Sequence, residues 1–424
     1  MNQNVIAVVS LIFLVGAIAL GFVKKMNVGI IAFGAALILG RVAGLTDKKI
    51  IAGFNSSLVV MLIGVTLLFG ILQLNGTLEL IAKKCIALAG RQLWIIPLLM
   101  YVIGAGIAGM GPGTIPGFAI VALFGVPLAR AMGADPFLLT TIGQLGAIGG
   151  GIVPIAPTGI IGLNLAAEAG IQGNVAGPLV FNTMLCTLVG SIVTYIVFKG
   201  YKLKGENPIK LADLPKFTGQ QKISLLGIVI MMFGTIVLNI NVGLISFIVA
   251  IALIMMKVAK ERECIKAIPW GTILLISGMG TLMNVVISVG GIDLLARTLA
   301  GFMSAKSAAP ILALSSGIMS WFSSTSGVVM PTMIPTIPTI TSAVGGVSGA
   351  LLVSAVVCGS SPAGVSPVST GGALVMAAMS EEEQMVSVRG TNKLFGRLFL
   401  VSMFEVFVAV IFIALGGFRI YPFY

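Results

Sequence analysis

The sequence predicts an all-α polytopic membrane protein of about ten spans, organised as two inverted-topology repeats, each with a re-entrant helical hairpin and a broken transmembrane helix. Three observations carry this expectation. Of 424 residues, 58% are hydrophobic and 9% charged, and the mean hydropathy is +1.13. A water-soluble domain carries about 25% charged residues, so too few are present here to coat a soluble surface. Gly/Pro-rich interruptions recur in the same order in both halves of the chain. Lys and Arg also divide unevenly between the two sides of the alternating spans.

The first repeat occupies 1–198. Apolar helices are expected over 5–23, 26–42 and 58–74, then an amphipathic stretch over 78–88 with Glu79, Lys83 and Lys84 on its polar side. An uncharged hairpin follows over 92–129, interrupted at 109–116. A segment over 137–167 is broken at 149–159, and a full helix over 179–198 closes the half. The polar stretch 199–222 carries six lysines and reads as a cytoplasmic linker. The second repeat, 223–424, has the same order: helices over 223–238, 242–256 and 270–289, an amphipathic stretch over 293–299, a hairpin over 307–343, a broken segment over 350–379 and a last helix over 394–415.

The letters repeat as well. Gly151-Ile152-Val153-Pro154 matches Gly364-Val365-Ser366-Pro367 at an offset of 213, and Thr158-Gly159 matches Thr370-Gly371 at 212. At 213, Pro97 meets Pro310 and Gly111–Thr114 meets Ser324–Gly327; Gly76 meets Gly291 at 215. Several ordered matches at nearly one offset mark an internal repeat. If each hairpin is re-entrant, each half crosses the bilayer an odd number of times and the second half is inverted. With both termini outside, 19 of the 25 Lys and Arg fall inside and six outside, as the positive-inside rule expects. Arg41, Lys48 and Lys49 sit against the rule in this arrangement. The expected location is a bacterial inner membrane. The 1–23 segment lacks a basic start, since Lys24 and Lys25 follow its apolar run, and reads as a retained span rather than a signal.

Composition excludes several functions. With no histidine, a Ser-His-Asp arrangement is impossible despite the serines of 315–326. The cysteines Cys85, Cys186, Cys264 and Cys358 have no metal or disulfide spacing. The net charge of +12 lies in short loops between apolar runs, with no basic, aromatic-interleaved region for nucleic acid. The run Gly104-Ala105-Gly106-Ile107-Ala108-Gly109 imitates a dinucleotide fingerprint but lacks the strand–turn–helix setting. No enzyme activity and no cofactor is expected.

Broken helices at membrane depth are costly unless they line a polar cavity inside the protein. Paired breaks in two repeats point to a transport site, with half-helix N-termini for anions and unwound carbonyls for cations. The segments 92–129, 136–167 and 307–380 contain no Asp, Glu, Lys or Arg. An anion would therefore be held by dipoles, hydroxyls and co-bound cations. The bland alternative is ordinary kinked helices packed through glycine.

The order of elements resembles the divalent-anion/sodium symporter family of the ion transporter superfamily, and most closely its malonate/dicarboxylate-carrier-like bacterial branch, over nearly the whole chain. That family carries a Ser-Asn-Thr signature at each hairpin tip. The second tip here has Ser323-Ser324-Thr325; the first, Gly111-Pro112-Gly113-Thr114, keeps only the threonine. The resemblance implies substrate contacts at Gly113, Thr114, Ser323, Ser324 and Thr325, and in the broken-helix loops at Pro157, Thr158, Pro362 and Thr370. It implies Na+ sites among Gly111, Thr114, Gly150, Ser323, Ser324, Gly359, Ser360 and Ser361. It further implies a homodimer and an elevator-like movement. The hydroxyls have alternative roles as backbone-bonding or turn residues. Glu405, inside the last apolar helix, is either a proton-coupling group or a structural hydrogen-bonding one. Glu381-Glu382-Glu383 reads as a solvated helix cap. The expected function is cation-coupled, Na+-driven symport of a small di- or tricarboxylate such as a C3–C4 dicarboxylate. Alternatives are a proton-coupled carrier of a monocarboxylate or inorganic oxyanion, and an anion channel.

Overall fold

A computed structural model describes residues 3–24, 26–88, 92–203, 209–321, 323–383 and 388–421. The side chains of 381–393, and with them the proposed cap at Glu381–Glu383, lie outside the described residues, as does 204–208 of the polar linker. The chain opens with α1 (Gln3–Lys24), α2 (Val28–Val42), the short α3 (Asp47–Ile51), α4 (Ser56–Leu74) and α5 (Thr77–Ala87). It continues through α6 (Ile96–Gly109), α7 (Thr114–Ala131), α8 (Pro136–Gly150), α9 (Pro157–Glu168) and α10 (Ala176–Val197). After the linker come α11 (Gly219–Ile236), α12 (Val242–Met255), α13 (Glu261–Ala267), α14 (Trp270–Ser288), α15 (Gly291–Ala300) and α16 (Ala308–Trp321). A π-helical turn (Thr325–Val329) then leads through α17 (Met330–Met333) to α18 (Ile337–Val344). The chain ends with α19 (Gly349–Ser360), a 3-10 turn (Ser361–Val365), α20 (Thr370–Glu383) and α21 (Val388–Ala414).

Among the described residues, seven helical segments are long and apolar enough to cross a membrane, and five shorter apolar helices accompany them. This is an all-α polytopic membrane protein. Large side chains such as Val60, Ile248, Ile251 and Met255 are exposed on its outer face, where hydrocarbon rather than water is the solvent.

Local chemistry sets the helix starts. Asn27 and Asn241 each open a helix with the same Asn-Val-Gly sequence, and each side chain accepts from the glycine N–H two residues on, at 2.8 and 2.9 Å. Each cap satisfies a backbone donor that the helix itself leaves free. Gly76 (φ 73°) and Gly290 (φ 81°) both precede α5 and α15 in the left-handed conformation that favours glycine. The residue that shares this conformation with Gly76 is Gly290, next to the Gly291 that the letter match gives. α11 starts at Gly219, earlier than hydropathy suggests, because Thr218 and Gln221 form a capping box. The short helices α3 and α13 were not anticipated: five and seven residues are too few to reveal a helical period. In the first, Asp47 pairs with Arg41 at 2.6 Å.

The two parts of the chain interlock. α2 packs on α14, and α12 on α4. At the first crossing Gly29 faces Gly278, whose Cβ would overlap the Gly29 carbonyl. At the second, a Cβ on Gly243 would sit 2.5 Å from Met61 Cα, and one on Gly64 would overlap the Gly243 carbonyl. Both crossings bring backbone against backbone, the close approach small residues permit in membranes. The largest hydrophobic core draws on both parts, with Leu62, Phe69 and Leu138 beside Leu312, Ile334 and Val353.

Candidate functional site

The four chain interruptions meet in pairs. The first tip, Met110–Gly113, turns α6 into α7 with Gly111 at φ 130° and Gly113 at φ 83°. Both are conformations that L side chains resist. Space is short as well: a Cβ on Gly113 would lie 2.8 Å from Pro157 Cδ, and one on Gly111 would overlap the Phe69 ring. This tip rests on the break between α8 and α9. Thr114, the first residue of α7, has its hydroxyl 3.3 Å from that of Thr158 in the first turn of α9. Gly151, at the end of α8, makes room, since a Cβ there would overlap Thr114 Oγ1.

The second tip repeats the arrangement with different atoms. Thr325 Oγ1 donates to the Ser360 carbonyl at 3.0 Å and lies 2.9 Å from Ser320 Oγ. Ser360 is the last residue of α19, where the second break begins. In both cases a threonine that starts a helix docks on the interrupted helix of its own half. The counterpart of Thr114 by contact is Thr325, two positions from the Gly327 that the letter match gives.

The predicted residues divide by what their polar groups already do. Ser323 Oγ donates to the Met319 carbonyl at 2.7 Å, and Ser360 Oγ to the Val356 carbonyl at 2.7 Å; both hydroxyls serve their own helices. Ser324 caps the π turn, its Oγ accepting from Gly327 N at 3.2 Å. The Gly150 carbonyl accepts from Val153 N at 3.3 Å. Gly359 is pressed against Ala313, where a Cβ would overlap the Ala313 carbonyl. Pro157 and Pro362 sit in the first turns of α9 and of the 3-10 turn, where a missing N–H costs nothing. Ser361 is buried, Thr370 is exposed at the start of α20, and neither hydroxyl has a protein partner among the described residues.

Other residues tie the two breaks together. Gln144, wholly buried in α8, donates from Nε2 to the Gly371 carbonyl at 2.8 Å, while its Oε1 has no protein partner among the described residues. The Phe118 ring of α7 lies against Gly364 and Gly371, where a Cβ on the latter would come within 2.9 Å of it. The start of α20 is thus held by α7 and α8. Sequence reasoning missed both side chains. The available signal was the placement of an amide in an uncharged segment at membrane depth, which marks a committed hydrogen bond. Behind the breaks, Glu405 of α21 is 2% exposed. Its Oε1 accepts from the Thr194 hydroxyl of α10, and its Oε2 faces Gly190 with no protein partner among the described residues. Two clefts of about 550 and 600 Å³ lie on the apolar outer face, the second reaching Pro154 of the first break.

Helix starts at Thr114 and Pro157 meet at the first break, and those at Thr325 and Thr370 flank the second, in stretches without a charged side chain. Such a site can hold an anion by N–H groups and a cation by carbonyls. This is the geometry of a multi-pass secondary carrier. Residues 13–359 match the citrate transporter family (CitMHS), and the chain belongs to it. Two solved structures share the fold. The YdaH transporter of Alcanivorax borkumensis is 12% identical, with a TM-score of 0.59 and 89% of each chain covered. MtrF of Neisseria gonorrhoeae, described as illuminating a class of antimetabolite efflux pumps, is 13% identical, with a TM-score of 0.57, 87% of this chain and 82% of that one covered. Comparison with curated proteins gives no match.

Proposed function

We propose that the chain is a cation-coupled symporter of a small di- or tricarboxylate, with Na+ as the coupling ion and C3–C4 dicarboxylates among its cargoes. The observation that carries this reading is the docking of Thr114 and Thr325 onto the breaks of their own halves, at Thr158 and at the Ser360 carbonyl. Each helix N-terminus presents about half a positive charge. Several of them at the two breaks would favour a doubly charged anion without a fixed cation. The substrate would engage Gly113, Thr114, Thr158 and Thr370, with Pro157 and Pro362 shaping the loops. Na+ would take backbone oxygens near Gly111, Gly150, Gly359 and Ser361. The bonds found for Ser323, Ser324 and Ser360 assign their hydroxyls to the backbone first.

Family membership supports a carboxylate cargo; a closer kinship with divalent-anion/sodium symporters is part of the proposal. So are inverted repeats with re-entrant tips, a homodimer, a bacterial inner membrane and external termini. An elevator-like step fits the packing. α6 and α7 pack on α8, α16 packs on α19, and α10 contacts both α8 and α19, whereas α2 on α14 and α4 on α12 form a second set of crossings. The test is uptake of labelled citrate, malonate and succinate into proteoliposomes. Uptake of at least one should follow an imposed inward Na+ gradient; uptake indifferent to Na+ would sink the coupling assignment.

Glu405 favours a second reading, a proton-coupled carrier on the same fold. A carboxyl buried at membrane depth, with one oxygen lacking a protein partner among the described residues, is a candidate for proton coupling by default. Glu405→Gln keeps the shape and the Thr194 bond. If Glu405 carries the coupling proton, ΔpH-driven uptake falls at least tenfold in the variant while exchange of internal for external substrate survives. Unchanged ΔpH dependence assigns Glu405 to structure.

A further inference from the structure

The outer-face cleft of about 550 Å³ lies between α4, α12, α13 and the start of α14. Ile63 and Leu67 form its back wall, Phe247 and Ile254 its side, and Ile265 and Trp270 its upper edge. It is continuous with an exposed apolar strip: Ile251 is 54% and Met255 77% exposed. In a membrane-spanning chain, such a strip opens onto lipid acyl chains. The one charged residue in the cleft's own lining is Glu261, and at that end cations stand beside lining residues along the chain. Lys257 follows α12, Lys260 precedes α13, and Arg262 and Lys266 lie on it; all four are exposed. The acidic residues of the same stretch are Glu263, which pairs with Lys260 at 3.8 Å, and Glu261, which lines the cleft. Lys257, Arg262 and Lys266 against Glu261 leave the rim with two positive charges in excess. Trp270 is held at this edge by its indole N–H, which donates to the Ile265 carbonyl at 3.0 Å. Aromatic side chains of this kind settle at the level of lipid headgroups.

We propose that this cleft is a binding site for an anionic phospholipid, one acyl chain lying along Phe247, Ile254 and Ile265 and the phosphate meeting Lys257 and Lys266 at the rim. The charge pattern selects the occupant. An apolar cleft alone accepts any acyl chain, but a basic rim at its mouth prefers a headgroup with net negative charge. Neither cleft has a basic residue in its own lining, but the second, lined by Tyr101, Phe181 and Leu188 among others, also has none within two residues of its lining and makes no such selection. The site lies away from the helix breaks, and its occupancy does not depend on what the protein carries.

The full-length protein is reconstituted in phosphatidylcholine vesicles containing about 10% of either brominated phosphatidylglycerol or brominated phosphatidylcholine. Quenching of the Trp270 signal is taken as the difference between wild type and Trp270→Phe. Quenching by the brominated anionic lipid should exceed that by the zwitterionic one several-fold. Lys257→Gln and Lys266→Gln should each reduce the excess about fivefold. Both lysines are exposed, so these variants should fold; phosphatidylglycerol adducts counted by native mass spectrometry, wild type against the double variant, give a second reading. Equal quenching by the two lipids, or an excess indifferent to both lysines, overturns the proposal. So does absence of quenching with Ile265→Cys cross-linking between two copies, which would make the occupant a second protein chain.

Discussion

One hydroxyl on Thr325 holds the second tip in two directions, toward Ser320 within the hairpin and toward the Ser360 carbonyl across the break. A hydrogen bond contributes about 0.5–1.5 kcal/mol net, so losing both should loosen the tip by the equivalent of about tenfold in occupancy of the docked state. Thr325→Ala should raise the KM for uptake about tenfold and Thr325→Ser should restore most of it, since serine keeps the oxygen. Uptake kinetics at equal membrane expression decide; wild-type KM in the alanine variant would remove Thr325 from the site. Residues of this kind were partly legible from sequence. Thr114, Thr158 and Thr325 stood beside Gly or Pro in uncharged breaks, or one residue from them. The roles of Ser323 and Ser360 were not legible, because a serine bonding its own helix and one bonding an ion have the same letters around them. Gln144 was missed because its meaning depends on a carbonyl 227 positions away.

At the scale of elements, the breaks were the most readable feature. Gly and Pro leave chemical reasons for a helix to stop, and the helices do stop at Gly109, Gly150 and Ser360. Least readable were the seams between helices. Nothing along the chain says that Gly29 will meet Gly278 or Gly64 will meet Gly243; the pairs are defined by crossing geometry. Gly278→Ala would place a methyl against the Gly29 carbonyl, and Gly243→Ala one against the Met61 backbone. Overpacking of this type costs about 1–3 kcal/mol. Each variant should lower the midpoint of thermal unfolding in detergent. The two seams share no residue, so the double variant should lose about the sum. A stable Gly278→Ala protein would mean the seam opens freely. In contrast, alanine should be tolerated at Gly106, where an added methyl would have no neighbour within 4 Å.

For the whole molecule, the class of fold was carried by hydropathy alone, and the expectation of an internal repeat by ordered matches between breaks. The crossed pairing of α2 with α14 and α4 with α12 adds a sign of the repeat from contacts: exchange the halves and each seam becomes the other. Inversion of one half relative to the other has its own measurement. Lys49 and Lys257 belong to corresponding connections, after α2 and after α12. In an inverted pair they face opposite sides of the membrane. Cysteines placed there in a cysteine-free background should react with an impermeant maleimide from opposite sides of oriented vesicles, Lys49→Cys from outside and Lys257→Cys from inside. Labelling of both from one side would refute the inverted arrangement.

The glycine seams also impose a schedule on biosynthesis. When the ribosome has delivered 1–198, the grooves on α2 and α4 exist but the helices that fill them have not been made. The early half must wait in the bilayer with backbone-deep grooves open to lipid until α12 and then α14 arrive. Stalled nascent chains ending before Val242 should therefore be cleared by membrane proteases faster than chains ending after Ser288. Equal lifetimes would mean that the first half needs no partner. Two halves that look like independent copies are, in manufacture, a lock whose key is cut last.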